Sequence, residues 1–330
     1  MSFKQVNKSR ILELSRELAR LQQYFLDQYG VDDIFSNSKI FEIIIADSLG
    51  HSIIPGHSGS RDARDDDGGE IEYKHFKETS SNHSWTFNDF SDTTIEKLND
   101  TKYVLFTHIN DSSGVYVFDW YYEVDGSVMA EYLANATLAI QNTRKMINVS
   151  ARQLETRLGI TRKYVPSHKS NGRYTQDLNK IYSAIKNMEK ESGVENILTS
   201  NKIWELLTSI HLNHNVNSEQ GGREGAHDAF DELGNQFEYK ISKARSWNFQ
   251  DISENVLTKY EHLKYFVFAI KNVKSVSIET IYIVDTQLLR RIREKLNEKK
   301  EKKGVALRRL QISVTLRDIR PYLIKEISVP

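Results

Sequence analysis

Apolar residues recur at helical spacing at Ile11, Leu14, Leu18, Leu21 and Phe25, which predicts a long amphipathic helix ended by Gly30. Leu178, Ile181, Ile185 and Met188 predict a second such helix, ended by Gly193. Each is followed by another helix, with Glu42 or Glu205 inside its apolar face. The period then changes to two. Ile71 and Tyr73, like Phe237 and Tyr239, alternate with charged residues and follow the turn residues Gly68 and Gly69, or Gly234 and Asn235, so each set predicts a strand pair. YVLFTHI and YFVFAI are nearly continuous apolar runs, as expected of strands buried on both faces, with VYVFDWYYEV and SIETIYIVD as the next strands. Helices interspersed with strands in this order predict an α/β fold.

Each of these features occurs twice, in the same order. DARDDDGGEIEYKHFK around Glu72 matches DAFDELGNQFEYKISK around Glu238 in its first Asp, its Ala, a second Asp, a Gly and the Glu-Tyr-Lys triplet. Upstream, SNSKIFE (36–42) pairs with TSNKIWE (199–205); downstream, SWTFNDFS (84–91) pairs with SWNFQDIS (246–253). TKYVLFTHI answers HLKYFVFAI, and RKMINVSARQL answers RRLQISVTLRDI. Solenoid repeats are roughly 20–50 residues long, so this period marks a duplicated whole domain. The expected organisation is one domain at 1–165 and its copy at 166–330, joined by the polar stretch VPSHKSNGR. A chain of 330 residues accommodates two domains comfortably.

Composition narrows the chemistry. There is no Cys, which excludes thiol nucleophiles and Cys-ligated metals, so any metal is held by oxygen or imidazole. Lys plus Arg and Asp plus Glu both number 45, so a nucleic-acid partner must be argued from local charge. Mean hydropathy is −0.55, and no apolar run approaches the roughly 18 residues of a spanning helix. The start MSFKQVNKSR leads into an amphipathic helix rather than a signal-peptide core, so a cytoplasmic location away from membranes is expected. No phosphate-binding G-x-x-x-x-G-K-[ST] loop is present, and no use of ATP is expected.

Across the glycine turn, Asp62 can meet Glu72, and Lys74 shares a strand face with Glu72 because strand side chains alternate. Asp228, Glu238 and Lys240 repeat the set. Two carboxylates and an ammonium on one face are costly to bury without a purpose. Their chemistry suits phosphodiester hydrolysis: carboxylates hold Mg²⁺, and the lysine orients water or stabilises developing charge. The copies have drifted at neighbouring positions such as Arg64/Phe230 and Asp67/Leu233, yet all six of these residues are intact. Asp65 and Asp231 also match and are the alternative metal ligands, although the wider spacing of Asp62 and Asp228 suits contact across the turn better.

Asp62...Glu72-Tyr73-Lys74 and Asp228...Glu238-Tyr239-Lys240 resemble the signature of the PD-(D/E)XK nucleases, the fold of most type II restriction endonucleases. The similarity covers the helix, hairpin and following strand of each copy, with Arg61 or His227 in place of the Pro before the Asp. It implies two tandem restriction-endonuclease-like domains, each a central mixed β-sheet flanked by helices. It also implies Asp and Glu as metal ligands, Lys serving the nucleophilic water, and Glu42 and Glu205 as additional acidic ligands. Mg²⁺ is the expected cofactor, with Mn²⁺ a plausible substitute. Double-stranded DNA is the expected partner, and a cognate DNA methyltransferase is implied by the resemblance alone.

A type II restriction endonuclease acting as a single-chain pseudo-dimer, one site per strand, is therefore expected. The alternatives are a structure-specific or repair nuclease resembling junction resolvases, and an inactive DNA-binding protein, which would tolerate a degraded triad. SWTFNDFS and SWNFQDIS read as helix starts with Trp and Phe in the core, or as DNA contacts through Ser84, Asn88, Ser246 and Gln250. His211 and His214 have ligand-like spacing, but the first copy has no counterpart pair, so surface or core roles are expected of them and of His57 and His75. Basic clusters at 162–173 and 290–309 are candidates to track phosphates.

Overall fold

The computed structural model describes residues 7–35, 39–55, 61–112, 116–138, 145–165, 174–195, 197, 202–217, 227–249, 252–303 and 311–329. Packing divides the chain into two compact units, Leu21–Ser183 and Met1–Arg20 with Ala184–Pro330. The first boundary falls inside α1 (Lys8–Tyr29), whose Ile11, Leu14, Leu18 and Phe25 are fully buried and which ends at Gly30 with φ 69°. Among the described residues, no helix is long and apolar enough to cross a membrane.

In the unit of residues 21–183, α1 is followed by α2 (Lys39–Leu49), the short strands β1 (Ser52–Ile53) and β2 (Ala63–Arg64), and β3 (Glu70–Lys77). Then come β4 (Trp85–Phe90), α3 (Asp92–Asn99), β5 (Tyr103–Asn110), β6 (Val117–Asp125), α4 (Gly126–Thr137), β7 (Lys145–Val149), α5 (Ala151–Arg157) and β8 (Lys163–Tyr164). Six strands form one mixed sheet in the order β1-β2-β3-β5-β6-β8. Its one parallel pair, β3 and β5, is joined by a crossover through α3, the connection that parallel pairing requires. β5 is buried along its middle, as its continuous apolar run predicts. A Cβ on Gly126 would lie 1.9 Å from the Thr101 carbonyl oxygen, so only glycine lets α4 start against the chain that enters β5.

The unit of residues 1–20 and 184–330 repeats this plan. α6 (Thr175–Ser192), which contains the second unit boundary, buries Leu178, Ile181, Ile185 and Met188. It is followed by α7 (Lys202–Leu212), β9 (Asn215–Val216), β10 (Ala229–Phe230), β11 (Gln236–Ser242), β12 (Ser246–Phe249), α8 (Glu254–Tyr260), β13 (Tyr265–Asn272) and β14 (Ser277–Val284). The chain ends with α9 (Leu288–Lys303), β15 (Ile312–Thr315), α10 (Leu316–Ile319) and β16 (Leu323–Ser328). The second sheet runs β9-β10-β11-β13-β14-β16, with β11 and β13 its one parallel pair.

SWTFNDFS and SWNFQDIS differ from the helix-start reading. They form β4 and β12, which pair antiparallel with β7 and β15 in separate two-stranded ribbons. Trp85 and Phe87, like Trp247 and Phe249, point into the core, while Asn88 and Asn248 face solvent. That alternation has period two, which is a strand's. The serine ending each segment caps the helix that follows: Ser91 accepts from the Thr94 N–H, and Ser253 from that of Val256. Each ribbon is tied to its sheet by an indole N–H, from Trp85 to the Thr107 carbonyl at 2.8 Å and from Trp247 to the Ala269 carbonyl at 3.0 Å.

Candidate active site

Asp62 immediately precedes β2, and its backbone N–H donates to the Ile71 carbonyl of β3 at 2.8 Å. Its carboxylate accepts from the Tyr73 N–H at 2.7 Å, which fixes it beside the central strand. Glu72 is buried on β3, and Lys74 donates to its Oε1. The Lys74 ammonium also lies 5.2 Å from the ring centre of Phe87 on β4. On α2, Lys39 is buried and donates to Glu42 one turn away.

The second unit builds the same arrangement from its own residues. Asp228 accepts from the Tyr239 N–H at 2.8 Å, and Lys240 donates to Glu238 Oε1 at 2.5 Å. Lys240 sits 5.2 Å from the ring centre of Phe249, and Lys202 donates to Glu205 at 2.7 Å. One contact is new here, the Tyr260 hydroxyl donating to Glu238 Oε1 at 3.0 Å.

Asp65 and Asp231 have other work. Asp65 accepts from the backbone N–H groups of Gly69 at 2.8 Å and Asp67 at 3.1 Å and from Lys102 at 2.5 Å. Asp231 accepts from the N–H groups of Leu233 and Asn235, both at 2.9 Å. Both carboxylates cap the hairpin turn.

Crowding of carboxylates in a low-dielectric setting pushes their protons on. Glu42 is pushed up to about 8, first by burial and then by the charge of Asp62, against Lys39. Glu72 rises to about 7 because burial, with help from Asp62, outweighs Lys74. Burial also raises Asp62, against Lys74 and the Tyr73 N–H. Glu205 and Glu238 each rise to about 7 through burial and then the charge of Asp228. For Lys74 and Lys240, burial disfavours the charge but Glu72 and Glu238 outweigh it, so both are held above the ordinary lysine range. Both lysines are therefore cations throughout the neutral range.

Among the described residues, no three His, Asp or Glu side chains form a ready-made metal cage. Mg²⁺ does not require one, since it keeps several waters and takes one or two carboxylates. Glu72 Oε2 is buried without a hydrogen-bond partner, and Asp62 is near enough to act on its proton. An unpartnered carboxylate oxygen beside a second carboxylate suits a hard cation, so Asp62 and Glu72 fit one; Asp228 acts on Glu238 in the same way and repeats the pair of carboxylates.

The DNA-contact candidates are dispersed around these centres. Ser84 precedes β4 and donates to Asn82 at 2.6 Å, Asn88 is exposed on β4, and Ser246 begins β12 opposite Thr315. Gln250 and His57 lie outside the described residues. His75 packs on Phe41, and burial pushes it down to about 4.

Sequence reasoning missed a histidine–tyrosine pair present in both units. The Tyr73 hydroxyl meets His51 Nδ1 at 2.7 Å, and the Tyr239 hydroxyl meets His214 Nδ1 at 2.8 Å. His214 thus matches His51 of the first copy, while Ser48 stands where His211 does, and burial lowers both imidazoles. Each histidine follows its helix glutamate at the same spacing, a signal the sequence carries. The Lys39–Glu42 and Lys202–Glu205 pairs were legible too, as a lysine one turn before each glutamate in the matched helix segments. No family model matches the chain, and no curated protein matches it in sequence.

Proposed function

We propose that the protein is a Mg²⁺-dependent endonuclease of the PD-(D/E)XK type that hydrolyses double-stranded DNA, with one site per strand in a single-chain pseudo-dimer. The supporting observation is that two diverged units each pin an Asp on the peptide N–H between a buried Glu and a Lys, and lay that Lys over a phenylalanine ring. A single such cluster is a common kind of ion pair; its repetition with the same hydrogen bonds marks a working unit.

In this reading Asp62 with Glu72, and Asp228 with Glu238, hold the cation, with Glu42 and Glu205 as further acidic groups nearby. Bound there, Mg²⁺ supplies Lewis acidity toward the phosphate and its attacking water. Lys74 and Lys240, charged throughout the neutral range, donate hydrogen bonds to that water or to the phosphate oxygens and offset negative charge as it grows. The phenylalanine under each lysine keeps its approach dry on one side, which strengthens that interaction. Action as a type II restriction enzyme at a defined sequence belongs to the same proposal, as does a cognate methyltransferase.

Incubation with a panel of plasmids in Mg²⁺ tests it. Discrete fragments that vanish with chelator are the expected result. Cleavage confined to four-way junctions would replace restriction by shape-specific cutting, and binding without cleavage under Mg²⁺ or Mn²⁺ would leave only a DNA-binding protein.

A further inference from the structure

The two candidate sites differ at one buried position. α3 and α8 both start after a capping serine, Ser91 and Ser253, and the residue equally far along each helix is Leu98 in one and Tyr260 in the other. Both side chains are buried, at 2% and 3% exposure. Tyr260 packs edge-on against Phe266, with ring centres 5.4 Å apart, and against Phe249, the ring beneath Lys240. Its hydroxyl lies among largely apolar side chains and donates to Glu238 Oε1. Leu98 offers no donor, so the oxygen of Glu72 that corresponds to the one Tyr260 holds is met by Lys74 alone among the described side chains.

Glu238 Oε1 is therefore held by two side-chain donors, Lys240 and Tyr260, where among the described residues Glu72 Oε1 has Lys74 alone. A carboxylate held by two donors loses less freedom when a cation arrives at its other oxygen, and preorganisation of this kind favours binding and the transition state together. We infer that Tyr260 is a positioning residue that makes the two sites unequal, the one built on Glu238 binding a divalent cation more tightly than the one built on Glu72. This rests on the endonuclease reading, and within it the strand served by Glu238 is cut first when Mg²⁺ is limiting.

The test uses the full chain and Tyr260→Phe, which keeps the ring and removes only the hydroxyl. Calorimetric titration with Mn²⁺ alone is expected to show two unequal sites in the wild type. The variant is expected to weaken the tighter one by about tenfold, the scale of a hydrogen bond to a charged group, with little change in melting temperature. Equal wild-type sites, no binding, or an unchanged profile in the variant would each overturn the inference. In parallel, duplex labelled separately on each strand is cleaved at limiting Mg²⁺. The variant should lose about tenfold in kcat on the strand the wild type cuts first, with KM for DNA unchanged. Loss spread equally over both strands would refute a positioning role. Unequal Mn²⁺ sites levelled by Tyr260→Phe in a protein that cuts no DNA would sink the endonuclease reading and leave the inference standing. Normal cutting with equal sites would do the reverse.

Discussion

Replacing Lys74 by Ala is the sharpest probe of one site per strand. The change removes the ammonium that holds Glu72 Oε1 and lies over Phe87, in a unit whose other members stay in place. Loss of one preorganised donor to developing charge costs about 10²–10³ in rate, so the strand served by that site should be cut more slowly by that factor. Breaking a buried pair can also cost about 3–5 kcal/mol of stability if the remaining charge stays ionised. Glu72 already titrates near 7, so it can take up a proton and escape most of that penalty. The folded protein should survive with a modest loss of melting temperature. The assay is a time course on supercoiled plasmid, separating supercoiled, nicked and linear forms, with the nicked strand mapped by primer extension. Lys74→Ala should accumulate open circles nicked on one strand, and Lys240→Ala open circles nicked on the other. A folded Lys74→Ala protein that cuts neither strand, or that linearises plasmid at the wild-type rate, would refute the reasoning.

Because Glu42, Glu72, Glu205 and Glu238 have folded values above the ordinary 4.5, the folded state binds more protons than the unfolded one, and their stabilising share is full below about 4.5 and lost as pH rises through about 7–8. Thermal melts with chelator should therefore fall between about pH 5 and pH 8.5, and Mg²⁺ should recover stability mainly at the alkaline end; a flat or rising chelated profile would contradict the burial of these carboxylates. His51→Phe strands the Tyr73 hydroxyl and should cost about 1–3 kcal/mol, with Tyr73→Phe in the same chain recovering part of it; strictly additive losses in a double-mutant cycle would deny the bond. α9 carries the exposed residues Arg290, Lys300 and Lys302, whereas α4 in the other unit has no Lys or Arg. Changing those three to Ala should weaken binding to all duplexes alike and lower the salt slope by about three; unchanged slopes would place DNA elsewhere.

The period-two stretch around Glu72 and the apolar runs after it announced β3, β5 and their copies, because a short, nearly continuous apolar run such as YVLFTHI is typical of a strand buried on both faces. The choice between Asp62 and Asp65 was legible only in part: both match between the copies, and the wider spacing alone favoured Asp62. The difference lies in backbone donors: the Tyr73 N–H turns Asp62 toward Glu72, and the turn's own N–H groups claim Asp65. β4 and β12 were obscured by their shortness. Trp85 and Phe87 two residues apart, followed by a capping serine, satisfy a helix start as well as a strand until their pairing partners, β7 and β15, are seen. Tyr260 lay outside every matched segment, so nothing in the repeat drew attention to it.

In the motif that the proposed function invokes, the residue between Glu and Lys is any amino acid, yet in both units it is held at two points. Tyr73 and Tyr239 each commit a peptide N–H to the aspartate and a hydroxyl to a histidine just beyond the preceding helix. Proline is barred there by the lost N–H, and small residues by the space the ring fills, so this position should tolerate the fewest replacements in a saturation library. A duplicated gene can let one copy drift, but drift at this tyrosine would disturb the aspartate on one side and the helix carrying Glu42 or Glu205 on the other. If the proposed function holds, the motif's variable letter is the point at which a single replacement would disturb either half on two sides at once.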